Sequence, residues 1–293
     1  MRTESFMALN PKGFHRVVYR EWGSAENQRV LVCVHGLARN SRDFDDIAHA
    51  LARNYRVICP DIVGRGESDR LPEGCPYEIG QYLNDMTALI ARLGVDKVDW
   101  LGTSMGGMIG MCLAAMPNTP IRSLILNDIG PFISKSALQR IGTYVGKAPM
   151  FWSHQEVEDY VRSVYPAYNG ITDEQWHRLA VHGSKKQDDN YQGESGFVLH
   201  YDPVIGDYTR ASADNDIDLW ALWRCVTCPQ LVIWGQDSDV LTADTVATME
   251  TENEGLAVSR WLGIAHPPSL MVPEQIQVVV DWLRALPGQL DNP

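Results

Sequence analysis

Val98-Asp-Trp-Leu-Gly-Thr-Ser104-Met-Gly-Gly-Met-Ile-Gly-Met-Cys112 is the stretch on which the fold of this 293-residue chain turns. Val98 to Leu101 reads as a short strand that runs into Gly102, and Gly106 to Met116 is small and apolar nearly all round, as in a buried helix, until Pro117 stops it. Between them lies Gly102-Thr-Ser104-Met-Gly106, a G-x-S-x-G pentapeptide with Gly107 following. A strand that turns at once into a helix holds the central serine in a strained conformation at the sheet edge, and glycines on either side leave room for that close approach. In isolation the pentapeptide is a weak signal; the strand before it and the helix after it are the setting it requires.

Working outward, Val30-Leu-Val-Cys-Val34 and Tyr55 to Cys59 are continuous apolar runs of the kind found in strands covered on both faces. Phe14 to Trp22 mixes aromatic and β-branched residues and ends at Gly23, as an early hairpin or meander strand would. Leu124 to Leu126, Leu231 to Trp234 and Leu256 to Leu262 are further strand candidates. Leu83, Met86, Leu89, Ile90 and Leu93 share one helical face before Gly94, and Ile276, Val279, Val280, Leu283 and Leu286 do the same near the C-terminus. Strands alternating with helices predict an α/β fold, a mostly parallel sheet with helices on both faces. From about Pro131 to Asp218 the alternation breaks: no strong strand run is visible, and Phe151, Trp152, Tyr160, Tyr165, Tyr168, Trp176 and Tyr191 cluster there. This predicts a helical insertion (131–218) in a core formed by 1–130 and 219–293, with most of its aromatics in a small core and a few also lining a pocket.

Composition excludes several classes. The formal net charge of −12 repels polyanions, so nucleic acid and acidic lipid surfaces are not expected partners. No run approaches the roughly 18 apolar residues of a membrane span, and Met1 to Lys12 lacks the apolar stretch of a secretory signal, so a cytoplasmic location is the expectation. The six cysteines are scattered, and Cys225-Val-Thr-Cys228 is a lone C-x-x-C that precedes a strand, which is weak ground for a metal or redox site.

On these residues the chain resembles the α/β-hydrolase-fold superfamily from about Phe14 to Leu286, which implies an eight-stranded sheet with a helical cap. Four features carry the resemblance besides the pentapeptide: His35-Gly36 after an apolar strand, the D-x-x-G-x-G-x-S run from Asp61 to Ser68, the strand and loop from Leu231 to Asp239, and Ala265-His266-Pro267. The resemblance implies Ser104 as nucleophile, His266 as general base, and the amides of Leu37 and Met105 as an oxyanion hole. For the acid it favours Asp239, with Asp237 second and Asp128 third. Many relatives carry the acid three residues after the glycine, a place held here by Ser238, so the sequence departs from that spacing. His35 is expected to brace its loop rather than to act as the base.

The implied function is that of a serine hydrolase cleaving a small carboxylic ester through an acyl-enzyme, with no cofactor or metal. Enol-lactonases and carbon–carbon bond hydrolases of ring-cleavage products use similar residues, and a slow or non-catalytic ligand binder is the alternative outside enzymology. A carboxylate-bearing substrate would want a cation in the pocket, for which Arg39, Arg65 and Arg140 are the candidates. The expected partner is a small ester or related carbonyl compound; self-association is left open.

Overall fold

A computed structural model describes residues 1–165, 168–188 and 195–286 of the chain. In chain order its strands are β1 (Arg2–Asn10), β2 (Gly13–Trp22), β3 (Val30–Val34), β4 (Arg56–Pro60), β5 (Val98–Thr103), β6 (Ile121–Asn127), the short β7 (Phe132–Ile133), β8 (Ser184–Asp188), β9 (Ser195–Leu199), β10 (Ile217–Asp218), then β11 (Gln230–Gly235) and β12 (Ala257–Trp261). Its helices are α1 (Asp45–Leu51), α2 (Ile79–Arg92), α3 (Met105–Ala114), α4 (Lys135–Gly142), α5 (His154–Val164), α6 (Asp173–Gly183), α7 (Ile205–Ser212), α8 (Trp220–Trp223), α9 (Ala243–Glu252) and α10 (Pro273–Ala285).

Side chains alternate across a strand, so a run that is apolar at every position needs cover on both faces. β3 shows this directly. Val30, Val32 and Val34 join the larger core with α2 and α3, whereas Leu31 and Cys33 face the second core with α1 and α10. The eight-stranded sheet has the order β1-β2-β4-β3-β5-β6-β11-β12. β1, β2 and β4 run antiparallel to one another in turn, and every pairing from β4 to β12 is parallel. The carboxyl ends of β3, β5, β6, β11 and β12 therefore share one edge, where the loops of an open α/β sheet build its sites.

The predicted strands all form, and β1 is added to them. Its inward residues Phe6 and Ala8 are buried, but the outward Met7 and Leu9 are also apolar and more than half exposed, so no polar contrast betrays the period of two. Likewise α9 buries little beyond Thr245, Val246 and Met249, too sparse a stripe to stand out. Among the described residues no helix is long and apolar enough to cross a membrane.

Between β6 and β11 the chain leaves the sheet. Phe151, Val157, Val161, Tyr168, Trp176, Leu179 and Ala180 pack together, and Met271, from the loop before α10, joins them. Besides the helices α4 to α7, two short antiparallel strand pairs form here. β8 pairs with β9 as a hairpin and β7 pairs with β10, both antiparallel. Ser184-Lys-Lys-Gln-Asp188 has no apolar residue to mark it as a strand; its pairing with β9 does so. Tyr191, one of the seven aromatics, lies outside the described residues.

Candidate active site

Ser104 sits between β5 and α3 with φ 52° and ψ −115°, in the left-handed region that non-glycine residues avoid. Packing imposes this. A Cβ on Gly102 would come within 2.2 Å of the Gly106 backbone, and one on Gly106 within 2.0 Å of the Val34 carbonyl oxygen, so only glycines let β5 turn this tightly against β3. The Ser104 N–H donates to the Asn127 carbonyl at 3.0 Å, and Trp100 Nε1–H to the Gly106 carbonyl at 2.9 Å. Asn127 Nδ2 donates to Thr103 Oγ1 and to the Pro268 carbonyl, both at 3.0 Å, tying the serine turn to the histidine loop. Nothing in the sequence marks Asn127 for this.

His266, in the loop after β12, places Nε2 2.9 Å from Ser104 Oγ and Nδ1 2.8 Å from Asp128 Oδ2. A carboxylate only accepts, so Nδ1–H donates to Asp128 and Nε2 is left to accept the hydrogen bond of the Ser104 hydroxyl. Asp128 has a solvent exposure of 0 %. Its own N–H donates to the Ile233 carbonyl at 2.8 Å, and its Oδ1 accepts the Gly235 N–H at 2.8 Å. Both carboxylate oxygens are thus held, one by the imidazole and one by the end of β11. Burial of the ion is offset by these two bonds.

The favoured acid of the sequence reading is therefore corrected. Asp239 does not reach His266; it is 47 % exposed and pairs with Arg140 of α4 through Nε to Oδ2 at 2.5 Å and Nη2 to Oδ1 at 2.8 Å. Asp237 is exposed at the surface. Ser238, three residues after the glycine, accepts the Val240 and Leu241 N–H groups at 3.1 Å and closes the turn. The physical reason lies in the loop itself. β11 ends by donating the Gly235 amide to the carboxylate that follows β6, and Ser238 turns the loop back on itself, leaving Asp237 and Asp239 at the surface.

The amides of Leu37 and Met105 are both free of partners among the described residues. Met105 opens α3, where an N–H has no intrahelical acceptor. Gly36 brings the first loop alongside the serine, its ideal Cβ position lying 3.8 Å from Ser104 Cβ. His35 braces this loop. Fully buried, it sets Nδ1 2.7 Å from the Gly36 carbonyl and accepts the Ile62 N–H on Nε2 at 3.0 Å, which defines its neutral tautomer. Burial pushes its pKa down to about 3, with Arg65 and Arg39 adding to the effect.

Arg65, one of the candidate pocket cations, is instead a buried brace. Its Nε donates to the Leu37 carbonyl at 2.9 Å and its Nη1 to the Val63 carbonyl and Tyr82 Oη, while the guanidinium lies over the Tyr77 and Tyr82 rings. Asp61 organises the same loop from below, accepting the Ser41 and Glu67 N–H groups. Of the other two cations, Arg140 is spent on Asp239, and Arg39 stands in the wall of the cavity above Ser104. That cavity, of about 40 Å³, is closed from the insertion side by Tyr144, Tyr165 and Tyr168. Tyr165 stacks on Tyr168 at 5.1 Å, and both also pack with the insertion's aromatic cluster, so these residues serve core and pocket at once.

The α/β hydrolase fold, as a family, matches residues 29–251. The chain belongs to the α/β-hydrolase fold family. It is similar to the 3-hydroxybutyrate-oligomer hydrolase of Cupriavidus necator, at 42% identity over 277 residues that cover 92% of this chain and 93% of that protein. It is also 26% identical to the 2-(acetamidomethylene)succinate hydrolase of Mesorhizobium japonicum, over 91% of each chain. Among solved structures, an α/β hydrolase from Novosphingobium aromaticivorans superposes with a TM-score of 0.85 at 32% identity, over 97% of this chain and 99% of that one. As a member of this α/β-hydrolase family the chain is a hydrolase; the bond it cleaves is the next question.

Proposed function

We propose that the protein is a serine hydrolase that cleaves carboxylic esters of short hydroxy acids. The observation that carries this reading is the unbroken hydrogen-bonded line from Ser104 Oγ through His266 to the buried Asp128. In this reading His266 Nε2 takes the Ser104 proton as Oγ adds to the ester carbonyl, and Asp128 stabilises the imidazolium without accepting its proton. The tetrahedral oxyanion is held by the Leu37 and Met105 amides, whose orientation is maintained by His35 and Arg65. His266 then protonates the departing alcohol, leaving an acyl group on Ser104. A water molecule deprotonated by His266 attacks that acyl group and releases the acid, with Ser104 regaining its proton. The similarity to an oligoester hydrolase over nearly the whole chain supports the choice of an ester substrate.

The test has two parts. The wild type should gain the mass of one fluorophosphonate adduct, and Ser104→Ala should gain none. A panel of p-nitrophenyl esters, linear hydroxybutyrate oligomers, lactones and vinylogous diketones should show turnover of the esters. Labelling that persists in Ser104→Ala would remove the serine mechanism, and turnover confined to lactones or diketones would replace the substrate class.

A further inference from the structure

We propose that Arg39 anchors the free carboxylate of the substrate in a second chamber that opens off the cavity above Ser104; this rests on the ester reading above. Arg39 lies just beyond the Gly36-Leu37 loop, with a solvent exposure of 8 %. A guanidinium offers five N–H donors along its edges. Asp43 occupies one edge only: Nε donates to Oδ2 at 2.9 Å and Nη2 to Oδ1 at 2.6 Å. Nη1 has no partner among the described residues, so the Nη1–Nη2 edge remains to receive a carboxylate. The Tyr165 ring lies 5.6 Å from the guanidinium carbon and, with the Asp43 bond, holds its plane in place.

The chamber is small, about 20 Å³ beside the 40 Å³ above Ser104, and its lining is largely aromatic around the one guanidinium. It shares Ala38, Arg39, Tyr144 and Tyr165 with the Ser104 cavity and continues between Tyr160, Leu199 and Tyr201. Gly183, at the end of α6, keeps the space around the cation open, since a Cβ there would sit 3.2 Å from Nη1. In aromatic surroundings a charge-assisted bond to Arg39 is screened less than it would be at the surface, and it needs the bidentate geometry that a carboxylate supplies. Linear oligomers of hydroxy acids end in a free carboxylate, the group that a bidentate guanidinium edge recognises. In a dimer the free carboxylate rides on the leaving alcohol, one hydroxy-acid unit away from the scissile carbonyl. A neutral ester leaves the guanidinium edge unfilled.

The experiment compares kcat/KM for the linear 3-hydroxybutyrate dimer with that for its methyl ester, in wild type, Arg39→Gln and Arg39→Lys. The wild type should prefer the free acid by about 10- to 100-fold, mostly through KM. The ratio should collapse towards one in Arg39→Gln and recover in part in Arg39→Lys; because it is a ratio within one preparation, loss of folded protein does not enter it. Free 3-hydroxybutyrate should also inhibit wild-type cleavage of p-nitrophenyl butyrate competitively, more strongly than its methyl ester does, a result that needs no variant. Neutral esters cleaved as well as the acid by the wild type, or a ratio unchanged in Arg39→Gln, would overturn the role of Arg39 alone. No turnover of any ester, p-nitrophenyl butyrate included, would overturn the ester reading and this proposal with it.

Discussion

The loops after β6 and β11 leave neighbouring strands at the same edge of the sheet, and each carries an aspartate within two turns of the chain. Asp128 is buried, is bonded at both oxygens and has a left-handed backbone with φ 56°. Asp239 is half exposed and, among the described residues, its side chain is fixed to Arg140 on the insertion. The first is positioned by the sheet; the second ties a surface loop to α4. Asp128 is held by a backbone amide, that of Gly235 at the end of β11, whereas Asp239 is held by a partly exposed side chain.

The largest effect should come from the serine to which His266 links Asp128. Ser104→Ala should reduce kcat by about 10⁴-fold or more while circular dichroism and the unfolding midpoint stay close to wild type. Next, Asp128→Asn should cost about 10³- to 10⁴-fold in kcat, because an amide in its place presents His266 with the wrong hydrogen-bonding partner. Asp239→Asn should stay within about 3-fold in the same assay, since the ion pair it breaks is exposed. A larger loss for Asp239 than for Asp128 would reverse the comparison.

Stability sharpens the contrast at a smaller scale. The pKa of His35 falls to about 3 in the folded protein from 6.5 in the unfolded chain, so the unfolded state takes up its proton first as the pH drops. Its contribution to stability is complete above pH 6.5 and is lost between there and pH 3. The slope is about 1.4 kcal/mol per pH unit, and it should disappear in His35→Gln when denaturant midpoints are measured across that window. The smallest effect belongs to the surface loop. Breaking Arg140–Asp239 should change the unfolding free energy by about 0–1 kcal/mol, and less at high salt. A loss of several kcal/mol would mean that this pair does more than link two exposed segments.

The serine turn and the histidine loop were legible because their signals are local. Gly102, Gly106 and Gly107 answer to steric limits within a few residues of Ser104, and His266 stands directly between a strand and a helix. β1 and the β8–β9 hairpin were not legible, since their alternation carries no polarity contrast and pairing alone defines them. Arg65 had a cation's signature, yet its work is done on the Leu37 carbonyl, a partner 28 positions away.

By itself the sequence determined a parallel sheet with a serine turn at its edge, a histidine delivered after the last strand, and an aromatic insertion between β6 and β11. Those follow from short-range sterics and hydrophobic periodicity, which each segment carries within itself. Which aspartate meets the histidine was decided only by the tertiary structure. β6 lies between β5 and β11 in the sheet, and the aspartate that follows it meets His266 through one oxygen and takes the Gly235 amide of its neighbour through the other. That choice depends on strand order and through-space hydrogen bonds, which no run of residues in the β11 loop could reveal.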